Sequence, residues 1–280
     1  MSFGVLVLCA SLVARSAALA LEGVRAVSLD VTGTLVTHRG SVTQAYCDAA
    51  VWARLPDAPT PAELKPAFAK AYKERCIESP CFGGVEGVSG RQWWRATVRR
   101  VLELAGRSYD DAEFDRYFRR IYQHFASPGG YETLSDAAAF LAAAPPGLLL
   151  GITSNTLSRH MNTVLPMLGI HDHFKWFACS QDVGAEKPSP EIFQAAFDAA
   201  RFWVPDLEKG EVLHVGDSLA CDFCGARAFG FQALFLDRSA NPNVVAYQDW
   251  VDAPDYEGKS EADIRACTVT SFEDVLSALT

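Results

Sequence analysis

Long apolar runs are scarce here: beyond residue 20, no stretch of roughly 18 apolar residues occurs, which excludes a polytopic membrane protein. Runs of lysine and arginine are missing too, and the formal net charge is −9, so a nucleic-acid backbone is not an expected partner. The short basic pairs Arg99-Arg100 and Arg119-Arg120 sit inside helical patterns and read as solvated helix faces. Eight cysteines are scattered through a chain too large to need covalent staples, and their spacing implies no disulfide framework. Cys221 and Cys224 form a CxxC, but no second pair or His-x-x-x-His follows; two thiols on one helix is the plainer reading than zinc. No internal repeat is present.

What remains is a globular composition, 49% hydrophobic and 21% charged, in 280 residues. That length suits one α/β domain carrying an inserted subdomain. Residues 1–22 stand apart. An apolar stretch at 3–14 is followed by Arg15 and by Ala18-Leu19-Ala20, much like the apolar region and cleavage site of a targeting leader. No Lys or Arg precedes Arg15, and no acid precedes Glu22. Organellar or secretory-pathway targeting is therefore expected, with an extra apolar helix on a cytoplasmic protein as the alternative. No integral membrane association is expected beyond such a leader.

Short apolar strands are expected at 24–30, 148–153, 174–179, 211–215, 231–236 and 266–270. Helical patterns fit between them at 132–143, 156–168, 189–201 and 219–229, and Ser271-Phe272-Glu273-Asp274 opens a closing helix. Strands alternating with helices indicate a Rossmann-like, doubly wound parallel sheet covered on both faces. Residues 41–127 differ. They carry helical periodicity at 42–55, 61–75, 90–105 and 111–126, with Trp94, Val98, Val101 and Ala105 on one face of the third block. This segment reads as an inserted helical cap, interrupted by a Gly/Pro-rich loop at 79–90. The core is then 23–40 plus 128–280, with 238–265 expected as a long surface loop.

Ligands of open α/β sheets bind beyond the carboxyl ends of the strands. Asp30 ends the first strand, Ser154 follows the second, Lys187 lies in the loop after the third, and Asp217 follows the fourth. These groups can converge. Two acids suit Mg²⁺, a hard cation that prefers oxygen. Lys187 and Ser154 would balance charge and hold the oxygens of a transferring phosphoryl group. His214, inside a strand, reads as a satisfied core histidine, and Trp93 and Trp94 as cap packing. Arg91, beside the glycine loop, is a candidate for meeting a substrate anion, with a surface salt bridge as the alternative.

Four segments carry a resemblance: Asp30-Val31-Thr32-Gly33-Thr34-Leu35, Ile152-Thr153-Ser154-Asn155, Lys187-Pro188-Ser189-Pro190-Glu191, and His214-Val215-Gly216-Asp217-Ser218, ending at Asp222. In order and spacing, over 24–236, they resemble the haloacid dehalogenase-like (HAD) superfamily, with the helical insertion where a C1-type cap belongs. Gly90-Arg91-Gln92-Trp93-Trp94 further resembles one branch of it. The resemblance implies a Mg²⁺-dependent hydrolase of a small phosphorylated metabolite, acting through an aspartyl phosphate on Asp30. It implies Asp30, the Thr32 carbonyl and Asp217 as metal ligands, with Asp222 supporting the metal directly or through water. Ser154 and the backbone N–H at Asn155 would hold phosphoryl oxygens, and Lys187 would neutralise charge.

One position departs from the pattern. Most phosphatases of the superfamily place a second aspartate, a general acid and base, two residues after the nucleophile; here it is Thr32. General acid–base help is worth about 10²–10⁴ in rate. Poor leaving groups would suffer most, acyl phosphates less. A threonine there also resembles the P-type ATPases, which carry a lysine where this chain has Val31 and have membrane spans it lacks. A dehalogenase reading is weaker, since the acidic fourth motif is intact and no aromatic residue follows Asp30 at the second position. The alternative from another class is a weak or inactive protein of this fold that binds a phosphorylated ligand or a partner. The leader reading has its own test: N-terminal peptide mapping by mass spectrometry of protein from its native cell should find a mature end near Ala20, and a chain retaining Met1 would contradict targeting.

Overall fold

The structure, a computed structural model, describes residues 21–241 and 251–280; the expected leader up to residue 20 lies outside them. Its centre is a six-stranded sheet in which every neighbouring pair runs parallel. β1 (Ala26–Leu29) is buried along its whole length and pairs on both sides. β2 (Val36–His38) leaves the sheet, and the chain then enters four helices: α1 (Val42–Trp52), α2 (Pro61–Glu78), α3 (Gly90–Leu104) and α4 (Asp111–His124). It returns through β3 (Tyr131–Thr133), which pairs antiparallel with β2.

The sheet then resumes with α5 (Ser135–Ala143) and β4 (Leu149–Ser154). A π-helical turn (His160–Val164) runs into α6 (Leu165–Met167), followed by β5 (Trp176–Cys179) and α7 (Ser180–Val183). Next come α8 (Pro190–Trp203), β6 (Val212–Gly216), a second π-helical turn (Leu219–Cys224) and α9 (Gly225–Phe229). The chain closes with β7 (Gln232–Leu236), α10 (Glu261–Ala266), β8 (Thr268–Val269) and α11 (Phe272–Leu279). Among the described residues no helix is long and apolar enough to cross a membrane.

Strand order is β5-β4-β1-β6-β7-β8. The chain builds outward from β1 through β4 to β5, then jumps back across β1 to β6. The order therefore reverses beside β1, and the crevice at that switch point is where doubly wound sheets take ligands. Asp30 and Asp217 immediately follow the two strands that flank it. Helices cover the sheet because its strands are apolar on both faces: Leu29, Ile152, Val215 and Leu234 are all fully buried.

The helical unit has its own core. In α4, Phe114, Tyr117, Phe118 and Ile121 recur at i, i+3, i+4 and i+7 and are buried against Leu64, Val98 and Val101. Its helices start where side chains satisfy their orphan N–H groups. Thr60 and Glu63, Ser89 and Gln92, and Asp110 and Glu113 each form a reciprocal capping box. Each such cap contributes about 1 kcal/mol. The buried stripe of α3 differs from the expected one: Trp93, Thr97, Val98, Val101 and Leu102 are inside, and Trp94 and Ala105 are only partly covered.

Three expectations change. The hairpin β2–β3 was not anticipated, because three-residue strands are too short to show alternation; the helix expected from 132 begins at Ser135. The helices expected at 156–168 and 219–229 both open as π-helical turns. Such turns often sit at functional positions, and these two follow the loops after β4 and β6. The expected loop 238–265 contains α10, whose six residues are too few for a periodic signal but are capped by Ser260, the Asp263 N–H donating to its hydroxyl at 3.1 Å; residues 242–250 of that loop lie outside the described residues.

Sheet packing leaves no room at Gly151 in β4. A Cβ there would stand 1.9 Å from the Trp176 ring on β5. Gly151→Ala is therefore expected to lower stability by about 1–3 kcal/mol, the usual cost of overpacking; urea denaturation measures it, and an unchanged midpoint would contradict this packing.

Candidate active site

Lys187 occupies the crevice, nearly fully buried. Its Nζ donates to Asp30 Oδ1 at 2.7 Å, to Asp222 Oδ1 at 2.6 Å and to the Thr153 carbonyl at 2.8 Å. All three ammonium hydrogens are thereby used. Asn155 fixes the lysine backbone on both sides: its Nδ2 donates to the Lys187 carbonyl at 2.9 Å, and its Oδ1 accepts from the Lys187 N–H at 2.6 Å. The Lys187 side chain thus joins the segments that follow β1 and β6 to the end of β4.

Asp222 is held at both oxygens. Oδ1 also accepts from His214 Nε2 at 2.9 Å, and Oδ2 accepts from the Ser218 N–H at 2.9 Å. His214 Nδ1 lies 2.9 Å from the Ser28 hydroxyl, which donates to Thr153 Oγ1 at 2.7 Å. Asp217 is less constrained: Thr34 Oγ1 donates to its Oδ1 at 3.2 Å. Two glycines make the crowding of carboxylates feasible. Gly33 has φ +89°, and a Cβ on it would meet Asp217 Oδ2 at 2.1 Å; a Cβ on Gly216 would meet the Asp222 carboxyl carbon at 2.2 Å.

The charges are unbalanced. Asp30, Asp217 and Asp222 each offer an oxygen within 4.8 Å of the others, against one ammonium. Burial raises the pKa of Asp30, with Lys187 opposing and Asp222 adding to the rise. Burial also raises Asp217 well above its ordinary value, reinforced by Asp30 and Asp222. For Asp222 burial acts upward too, but Lys187 and His214 outweigh it and hold this carboxyl well below the usual range. Lys187 stays protonated: burial opposes its charge, and Asp222 and Asp30 more than restore it. Burial lowers the pKa of His214, with Asp222 opposing. Three acids facing one lysine, one of them saturated by its neighbours and two left strained, fit a hard divalent cation held by Asp30 and Asp217.

The structure brings Asp30, Lys187, Asp217 and Asp222 together. Ser154, buried at the end of β4, lies close enough to Asp30 to favour its charged form. Thr32 sits in the turn after Asp30, bridged to Val36, with an exposed side chain. Arg91 is elsewhere: exposed at the start of α3, over the Phe118 ring at 5.9 Å, it lines a surface groove with Arg95 and Arg119 that includes none of the clustered acids. His214 is the core histidine expected, yet its bond to Asp222 makes it part of the site's framework. Ser28, Thr34, Thr153 and the Asn155 side chain were not anticipated in these roles. Thr34 lies inside the first motif and Thr153 and Asn155 inside the second, so these could have been found there; Ser28 depends on strand pairing.

The helical unit also reaches this region. The loop before α3 places Cys81 and Phe82 at φ +52° and +53°, and the core holds it there. The Cys81 N–H donates to Glu186 Oε1 at 3.1 Å, next to Lys187, and Gln181 Nε2 donates to the Phe82 carbonyl at 3.3 Å. Left-handed backbone at two non-glycine residues costs about 1–3 kcal/mol each and is typical of functional loops.

A Rossmann-like sheet with an acidic cluster and a buried lysine at its switch point defines the class: an enzyme scaffold suited to chemistry at an aspartate. A family model for haloacid dehalogenase-like hydrolases matches residues 24–230, and the chain belongs to that family. It is 33% identical over 216 residues to haloacid dehalogenase-like hydrolase domain-containing protein 3 of Danio rerio, covering 77% of this chain and 86% of that one. A magnesium-bound HAD hydrolase from Bacillus subtilis has the same fold, with TM-score 0.60 and 18% identity over 92% of this chain and 99% of the other. So does L-2-haloacid dehalogenase from Xanthobacter autotrophicus, with TM-score 0.61 and 17% identity over 91% and 98%.

The charge imbalance has a measurable sign. Asp30 and Asp217, with raised pKa, take up protons on folding, so metal-free protein loses stability as pH rises from the ordinary carboxylate range through their folded values. Asp222 acts oppositely: its contribution is present above the ordinary range and is lost as pH falls through its depressed value. At pH 8 in chelator, Asp217→Asn should therefore be more stable than wild type. Mg²⁺ at 100 times its Kd should add about 2.7 kcal/mol to wild type and little to the variant. Thermal unfolding checks both; a less stable metal-free variant would contradict the electrostatic account.

Proposed function

We propose that this protein is a Mg²⁺-dependent phosphatase of a small phosphorylated metabolite, with Asp30 as nucleophile. The observation that carries the reading is Asp30 held by Lys187 at the switch point, with two further aspartates alongside. Asp30 and Asp217, with the Thr32 carbonyl, would hold the cation; bound there, it supplies positive charge to the phosphoryl oxygens. Asp222, already occupied by Lys187, His214 and the Ser218 N–H, serves chiefly to place the lysine.

A carboxylate oxygen of Asp30 forms a bond to phosphorus as the bond to the leaving oxygen breaks. Lys187 and the Ser154 hydroxyl stabilise charge on the transferring group, together with the Asn155 backbone N–H. The leaving group takes its proton from water, since Thr32 has none to give near neutral pH. Water then attacks the aspartyl phosphate, releasing phosphate and restoring the Asp30 carboxylate. Residues 41–127 act as a cap over the crevice and select the substrate, the strained loop at Cys81–Gly83 bonding to Glu186 beside Lys187. Attack on a haloacid is less well supported, because the acidic fourth motif, Asp217 and Asp222, is intact and no aromatic residue follows Asp30 at the second position.

Thr32 favours a second reading: a weakly active or inactive protein that binds a phosphorylated ligand or a partner. Purified protein with Mg²⁺ separates the two. Acetyl phosphate should be hydrolysed faster than p-nitrophenyl phosphate, and Asp30→Asn should abolish both activities. Absence of any turnover, alongside measurable Mg²⁺ and phosphate binding, would favour the second reading. Thr32→Asp should raise hydrolysis of alkyl phosphates by about 10²-fold, the low end of what general acid–base help supplies; a flat response would contradict the role given to this position.

A further inference from the structure

A cavity of about 80 Å³ lies where the helical unit meets the β2–β3 hairpin and the segment after β4. Its wall is aromatic, with Tyr46 and Phe125 from the helical side and His38 and Tyr131 from the hairpin. Arg159 and His160 complete it from the segment after β4, and no residue of the Asp30 cluster lines it. Burial lowers the pKa of His38 to about 4 and that of His160 to about 3, so both rings are neutral at pH 7. Arg159 is then the only formal charge in the wall.

That arginine has no counter-ion among the described residues. Its guanidinium lies 3.7 Å over the Tyr122 ring and donates to the Tyr122 carbonyl at 2.6 Å. Two other sheltered arginines find carboxylates: Arg107 pairs with Glu63 at 3.0 Å and Arg238 with Asp136 at 2.6 Å. Burial lowers the pKa of Arg159, opposed only in part by Tyr122 and Tyr131 and by no carboxylate. A half-buried cation with donors to spare, set in an apolar wall, is complementary to an anion with an apolar body.

We propose that this cavity binds a small organic acid, its carboxylate paired with Arg159 and its short hydrocarbon body enclosed by the aromatic wall. An apolar cavity of about 150 Å³ takes benzene, so this one suits a body of about three or four carbons. Its walls come from the helical unit and from the core, so occupancy holds the two together. The site is separate from the Asp30 cluster and does not depend on the catalytic reading.

Calorimetric titration of the full chain with butyrate, isobutyrate, benzoate and butyramide tests the proposal. Butyrate and isobutyrate should bind saturably and raise the melting temperature; benzoate, too large, and butyramide, uncharged, should bind at least about tenfold more weakly. Arg159→Gln should weaken butyrate by about tenfold or more, with partial recovery in Arg159→Lys. Should those variants fail to fold, Val98→Leu, which adds a carbon to the cavity wall, should also exclude the acid. Asp30→Asn should bind butyrate as wild type does. No saturable binding of either short acid, full affinity in Arg159→Gln or Val98→Leu, or loss of binding in Asp30→Asn would overturn the proposal.

Discussion

The buried ammonium of Lys187 is the point on which the site depends. It bonds to the nucleophile candidate Asp30, to Asp222 and to the end of β4, so three strand ends must be in register for it to be satisfied. The parallel pairing of β1 with β4 and β6 provides that register. Removing one partner from such a buried pair leaves an uncompensated charge and costs about 3–5 kcal/mol. Sheet, loops and site are therefore one construction. The glycines at 33 and 216, the Asn155 clasp and the Ser28–His214 link all serve to bring acids near that lysine without collision.

The same crowding leaves the cluster with more acid than its one ammonium balances. Burial and mutual repulsion leave Asp30 and Asp217 reluctant to ionise, whereas Asp222 is satisfied by its own donors. The two strained carboxylates immediately follow the strands that flank the crevice, and the satisfied one bonds to the lysine. That difference between two strained acids and one satisfied acid is sharper than the motif spacing alone implies. The helical unit meets the core through the Cys81–Phe82 turn on one side and through the Arg159 cavity on another.

Much of this was legible in the residues. The sheet strands are short apolar runs punctuated by turns, and the acids, serine and lysine that matter fall at their ends, where topology brings them together. The four helices of the insertion show in their periodicity. What escaped notice depends on partners far away in sequence. The β2–β3 hairpin has three residues per strand, too few to alternate. α10 has six, too few for a stripe. His214 reads as core because nothing local tells that Asp222 will stand against its Nε2. Arg91 stands beside glycines, yet its helix carries it to the surface. The pairing of Asn155 with the Lys187 backbone spans loops that only the fold unites.

The central claim is that Asp30 becomes phosphorylated. Brief reaction with acetyl phosphate and Mg²⁺, acid quenching, and borohydride reduction would convert an aspartyl phosphate to homoserine, which peptide mass spectrometry can locate. The account predicts homoserine at position 30, and none in chelator. Homoserine at another acid, or none at 30 while phosphate is released, would contradict it.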